Sequence, residues 1–165
     1  MEVTRWLSAD ERAAWLRLVA VVELLPGVLD GQLRRTSGLT HFEYLVMAML
    51  SEAPERVMRM TALAQCTNAT LPRLSHVVRR LEERGLVERR PCPDDGRATD
   101  AHLTAEGWET VVAAAPGHAE TVRRRVLDPL TPTQVRQLHE IGDALLGELD
   151  PEGRLAVLYD PDPRA

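Results

Sequence analysis

Arg73, His76, Arg79 and Arg80 recur at spacings that place them together on one side of a helix, while Leu74, Val77, Val78 and Leu81 fall on the other. The first group can donate hydrogen bonds to phosphate oxygens and to guanine O6 and N7, and the second can be buried. This is chemistry of recognition, not of bond making. Thr70 is placed to cap the helix and Pro72 is tolerated in its first turn. In a major groove roughly 12 Å wide, the N-terminal residues of such a helix reach base edges first. Arg73 and His76 are therefore the expected base contacts, with Thr70, Ser75, Arg79 and Arg80 on phosphates and Pro72 on the same face. A solvated amphipathic helix would show the same pattern, so the face alone does not decide.

A second group follows. GLVERR reads as a short strand ended by Pro91, Asp95-Gly96 as a hairpin turn, and Arg97 to Leu103 as the returning strand. A tip carrying Asp94, Asp95 and Arg97 projects one guanidinium from a stiff ribbon, which suits a narrow, electronegative minor groove. Asp95 is placed to orient Arg97.

Other elements must hold these two groups. Ser8 to Glu11, Thr40 to Glu43 and Thr131 to Gln134 each match the capping box, in which a hydroxyl and a side chain three residues on satisfy reciprocal backbone donors. They predict helices opening near residues 9, 41 and 132. Trp15, Leu18, Val19, Val22, Leu25 and Leu29 form a stripe on the first, and Val135, Leu138, Ile141, Leu145 and Leu149 on the last. Pro26-Gly27 and Pro116-Gly117 are expected to kink or break their helices. Thr61 is the expected cap of a short helix through Leu63 and Ala64, and Thr104 of a long one toward Asp128.

The 165 residues carry a net charge of -5, unevenly divided. Residues 56–97 hold nine arginines against five acids, whereas the flanks are acidic. The chain has no lysine, which a biased coding composition explains as well as function does. No apolar run reaches the roughly 18 residues of a membrane span, and the first residues lack a secretory pattern, so a cytoplasmic protein without membrane contact is expected. His139-Glu140 lacks the second histidine of a zinc protease, and there is no glycine-rich phosphate loop and no nucleophile elbow. Neither an enzyme nor a cofactor is expected. The histidines at 41, 76, 102, 118 and 139 are dispersed, which argues against a metal site. Cys66 and Cys92 read as free thiols; a redox switch would use one of them, with Arg89 and Arg90 lowering the pKa of Cys92.

GLVERR, Asp95-Gly96-Arg97 and Leu103-Thr104-Ala-Glu-Gly107, with TALAQ and RRLEERG before them, resemble the wing and helix-turn-helix of the MarR family of bacterial transcription regulators. The resemblance implies a mainly α fold with a small β-hairpin wing. A winged helix-turn-helix would occupy about 40–104, dimerisation helices about 8–35 and 105–150, and a flexible tail 151–165. It implies a homodimer on double-stranded, pseudo-palindromic DNA, commonly a repressor. Many such proteins release DNA when a small aromatic or lipophilic effector binds between the two regions, for which Trp15, His41, Tyr44 and Met47 are the candidate lining. Leu71, Asp100 and His102 depart from the family pattern and bear on which sequence is read. A winged helix serving only as a protein adaptor is the remaining alternative.

Overall fold

The computed structural model describes residues 4–93 and 95–159. Ten elements follow one another: α1 (Ala9–Ser37), α2 (His41–Glu52), β1 (Val57–Arg59), α3 (Met60–Cys66), α4 (Leu71–Glu83), β2 (Val87–Cys92), β3 (Asp95–Leu103), α5 (Ala105–Val122), α6 (Pro132–Leu149) and the single turn α7 (Ala156–Tyr159). The three strands form one antiparallel sheet in the order β1-β3-β2.

All three capping boxes are formed, at Ser8, Thr40 and Thr131. Gly38 closes α1 in the left-handed region at φ 66°, with its N–H donating to the Arg34 carbonyl. The core is made by α2, α3, α4 and the sheet. Leu39, Val46, Met47, Leu50, Leu63, Leu74, Val78, Leu81, Val87 and Ala101 are essentially without solvent exposure.

Several sequence expectations are corrected. Neither proline breaks its helix: α1 runs through Pro26 and α5 through Pro116. Both prolines are exposed. The roughly 3 kcal/mol lost with a proline N–H is spread over long, capped helices that are packed on one another through Leu29, Leu33, Val111 and Ala114. The irregularity falls instead at Arg123–Leu127, a π turn in which the Asp128 N–H reaches back five residues to the Arg123 carbonyl at 2.8 Å. Thr61 sits inside α3, whose N-cap is Arg59 with no side-chain cap. The strand β1 was not expected.

The hairpin also differs. β2 continues through Pro91 to Cys92, and β3 already begins at Asp95, so Asp95-Gly96 belongs to the strand and not to the turn. Asp94 lies outside the described residues. β2 is an edge strand, where a residue without an N–H leaves no ladder bond unmade. The expected tail is partly ordered. Buried Asp150 accepts from the N–H groups of Arg154 (2.9 Å) and Leu155 (2.8 Å) and from the Tyr159 hydroxyl (3.2 Å), and α7 packs on α3. These bonds hold the Asp150 carboxyl below its ordinary pKa, the Leu155 N–H contributing most. Residues 160–165 lie outside the described residues.

Candidate nucleic-acid interface

The helix α4 is positioned by its buried side. Leu74, Val78 and Leu81 enter the core, and at about 100° per residue this points Pro72, His76 and Arg79 directly outward. The Thr70 hydroxyl accepts from the Arg73 N–H at 3.4 Å and starts the helix. Asn68, with φ 48°, turns the chain between α3 and α4. His76 Nδ1 lies 2.8 Å from Arg79 Nη2. A guanidinium can only donate, so Nδ1 accepts and the neutral ring carries its proton on Nε2, a donor suited to guanine or to the thymine carbonyl.

The other arginines of α4 lie on its flank. Arg73 stacks on Phe42 of α2, 4.2 Å from the ring centroid. Arg80 does not stand free for phosphate: its Nη2 lies 3.3 Å from Oε1 of the buried Glu43, and Arg84 Nη1 lies 3.9 Å from Oε2. Positions 73, 80 and 84 share the side of α4 that faces α2, which is why Arg80 neutralises a core carboxylate. The Glu43–Arg80 contact is a charge pairing and not an aligned hydrogen bond, since Oε1 has no hydrogen-bond partner.

On the opposite flank, α4 faces the wing across a groove of about 190 Å³ that is lined by Arg59, Thr61, Ser75, Arg89, Arg97 and Thr99, among others. Ser75 and Arg97 were expected here. Arg59 and Arg89 were not, because the sequence shows no sign of β1 and places Arg89 on a strand beside Cys92. Arg89 is held by Glu82 at 2.6 Å and Arg59 by Asp95 at 3.9 Å. In the wing, Pro91 pairs with Thr99 and Cys92 with Asp95, which leaves Gly96, Arg97 and Ala98 looped out of the ladder. Asp95 bonds the backbone of Arg97 and not its side chain: the Arg97 N–H donates to Asp95 Oδ1 at 3.1 Å. The exposed guanidinium is left to a partner.

The wing is stitched to α5 at its base. Thr104 Oγ1 donates to the Gly85 carbonyl at 2.7 Å and accepts from the Gly107 N–H at 2.9 Å. The Thr104 N–H donates to the Leu86 carbonyl.

Both cysteines are free thiols, as expected, but the surroundings of Cys92 differ from the expectation. Cys66 is buried in α3, and burial raises its pKa. The guanidinium at Cys92 belongs to Arg59, with Nη2 3.3 Å from Sγ, while Arg89 and Arg90 pair with Glu82 and Glu88.

The four candidate effector residues are not brought together in one chain. His41 is tied to Asp30 by its N–H at 3.0 Å, and Trp15 lies about 22 Å further along α1 from that point. Met47 is fully buried in the core. His41 and Tyr44 do meet, with His118 of α5 as an unexpected third member: the His118 ring is 6.0 Å from His41 and 4.7 Å from Tyr44, centroid to centroid. Burial lowers both imidazole pKa values, and His41 lowers that of His118 further.

A pH dependence follows. Just below the ordinary imidazole value of 6.5 the unfolded chain binds protons that the folded chain does not, so stability falls as pH falls through that range. Urea unfolding should show a lower midpoint at about pH 5.5 than at about pH 7.5, and His118→Gln should narrow the gap. An unchanged gap would remove His118 from the effect.

A three-helix unit presenting one outward helix beside a β-hairpin defines the winged helix-turn-helix class. A sequence model of the MarR family matches residues 37–98. The chain is similar to Sco3205, a MarR family regulator of Streptomyces coelicolor whose structure is a complex with DNA, at 42% identity over 92% of this chain and 94% of that one, TM-score 0.86. It is 32% identical to the transcriptional repressor Mb2911 of Mycobacterium bovis over 66% of this chain and 76% of that protein. The match to the regulator HosA of Escherichia coli, at 36% identity, covers 47% of this chain and spans about half, 56%, of HosA. The chain belongs to the MarR family.

Proposed function

We propose that this protein is a homodimeric, sequence-specific DNA-binding repressor of the bacterial cytoplasm. The observation that carries the reading is the pairing of an outward helix face with a groove lined by Arg59, Arg89 and the looped-out Arg97, in the most basic segment of an acidic chain. His76 and Arg79 take the centre of the major-groove contact, and Arg73 flanks it from its seat on Phe42. Thr70, Pro72 and Ser75 border the strand, Arg59 and Arg89 hold the phosphate between helix and wing, and Arg97, set by Asp95, enters the minor groove. The exposed apolar stripes of α1 and α6 join two copies, so that the two reading helices meet half-sites about one DNA turn, roughly 34 Å, apart. His41, Tyr44 and His118 stand where the reading unit meets α5, and a small aromatic or lipophilic effector binding there would change that spacing.

Selection of bound duplexes from a random pool should return a pseudo-palindrome. With 6 to 10 phosphate contacts, affinity for it should fall roughly 10³- to 10⁵-fold between 50 and 200 mM salt. No binding to any duplex at low salt would favour an adaptor instead. Arg97→Ala should weaken binding with the melting temperature unchanged, and an unaltered affinity would remove the wing from the interface. Arg73→Ala should relax base preference at one position per half-site, costing about 1 to 3 kcal/mol. Equal weakening on all sequences would make Arg73 a phosphate contact.

A further inference from the structure

A notch of about 210 Å³ opens between the second half of α1 and the end of α5, lined by Val28, Gln32, Arg35, Thr121, Arg124 and Arg125. Val28, Gln32 and Arg35 lie roughly 140° to 200° around α1 from Asp30, the residue that holds His41, so the notch is separate from the His41, Tyr44 and His118 cluster.

Two features of it are unbalanced. Arg35, Arg124 and Arg125 have no carboxylate partner among the described residues, whereas the neighbouring Arg123 is paired with Asp128. Consecutive helical residues normally point about 100° apart, yet Arg124 and Arg125 both reach the notch, and both lie in the π turn. Three arginines lining one notch without a carboxylate partner form a site for an anion.

Gln32 supplies the second feature. It is only 6% exposed. Its Nε2 donates to Thr36 Oγ1 at 3.0 Å, and that hydroxyl donates to the Gln32 carbonyl at 3.2 Å, which assigns the two ends of the amide. Oε1 is left buried with no donor. A simple oxyanion would satisfy the arginines and leave this acceptor unpaired. A ligand that carries its own O–H beside the negative oxygens would satisfy both.

We propose that the notch binds a small oxyanion bearing its own hydroxyl, either a protonated phosphate or a hydroxycarboxylate. This assignment does not rest on the DNA-binding reading.

Calorimetric titration of the full chain at low ionic strength tests it with two matched pairs: inorganic phosphate against sulfate, and lactate against propionate. The hydroxyl-bearing member of at least one pair should bind about tenfold more tightly than its counterpart, and the pair that shows this identifies the source. Arg35→Ala and Arg124→Ala are exposed substitutions and should each weaken that binding about tenfold. Gln32→Met should abolish the preference within the pair and leave the weaker member unchanged. If Gln32→Met does not fold, the arginine variants and the two pairs still decide. Absence of binding by all four anions would overturn the proposal, as would equal binding within both pairs. So would arginine variants that keep their anion affinity but weaken self-association, because a carboxylate of the second copy would then be the occupant.

Discussion

Gly107→Ala is expected to destabilise the protein by about 3 kcal/mol, the upper end of what overpacking costs, and to abolish DNA binding through the wing. Gly107 is buried in the first turn of α5, where the helix lies directly on the backbone of Leu86. A Cβ at this position would clash with the Leu86 carbonyl oxygen and come to 2.7 Å from Leu103 Cδ1. The obstacle is backbone, which cannot rotate aside. The same carbonyl also accepts the Thr104 N–H, so moving α5 away breaks the bond that seats the wing. Urea unfolding of the variant gives the measurement. Gly27→Ala and Gly142→Ala provide the contrast, since both are helical with nothing within 4 Å of the added Cβ. Each should be neutral or stabilising by about 0.5 to 1 kcal/mol. A Gly107→Ala protein as stable as these two would refute the close approach.

The double substitution Ile141→Glu and Leu145→Glu should convert the dimer to a folded monomer. Within one chain these side chains are 57% and 41% exposed, and Leu138 and Leu149 beside them are 46% and 73% exposed. The stripe therefore contributes little to the fold of a single copy. In a two-fold interface each substitution acts twice, and the roughly half of each side chain still exposed in one copy is worth about 0.75 to 1.5 kcal/mol, so the four positions together lose about 3 to 6 kcal/mol. The dissociation constant should rise at least about 10²-fold. Sedimentation analysis should show the monomer mass with the helical content of the parent, and operator affinity should fall with it. A variant that remained dimeric would place the interface elsewhere.

How far such features are visible in a sequence depends on how local their causes are. The three capping boxes were legible because each is decided within about four residues. The buried side of α4 was legible for the same reason. A break at Pro26 or Pro116 did not follow, because a local rule says nothing of the packing that carries a long helix through a lost hydrogen bond. Pro91 misled because only the sheet order shows that β2 is an edge. β1 has three residues, too few for alternation to be seen, although Val57 is a strong strand former. Without it Arg59 could not be placed in the groove. The pairing of Arg80 with Glu43 and the approach of His118 to His41 join residues tens of positions apart, which no spacing rule reaches. The motif from Leu103 to Gly107 was recognised as a pattern, and the structure supplies its reason in the contact with Leu86.

α5 runs without interruption from the foot of the wing to the π turn, and at 18 residues it is a rod about 27 Å long. His118, where α5 meets His41 and Tyr44 of α2, lies about three quarters of the way along it from the wing. A tilt of about 5° over that length displaces one end relative to the other by about 2 Å, close to the spacing at which a hydrogen bond is made or lost. A small rotation about that contact is therefore largest at the wing.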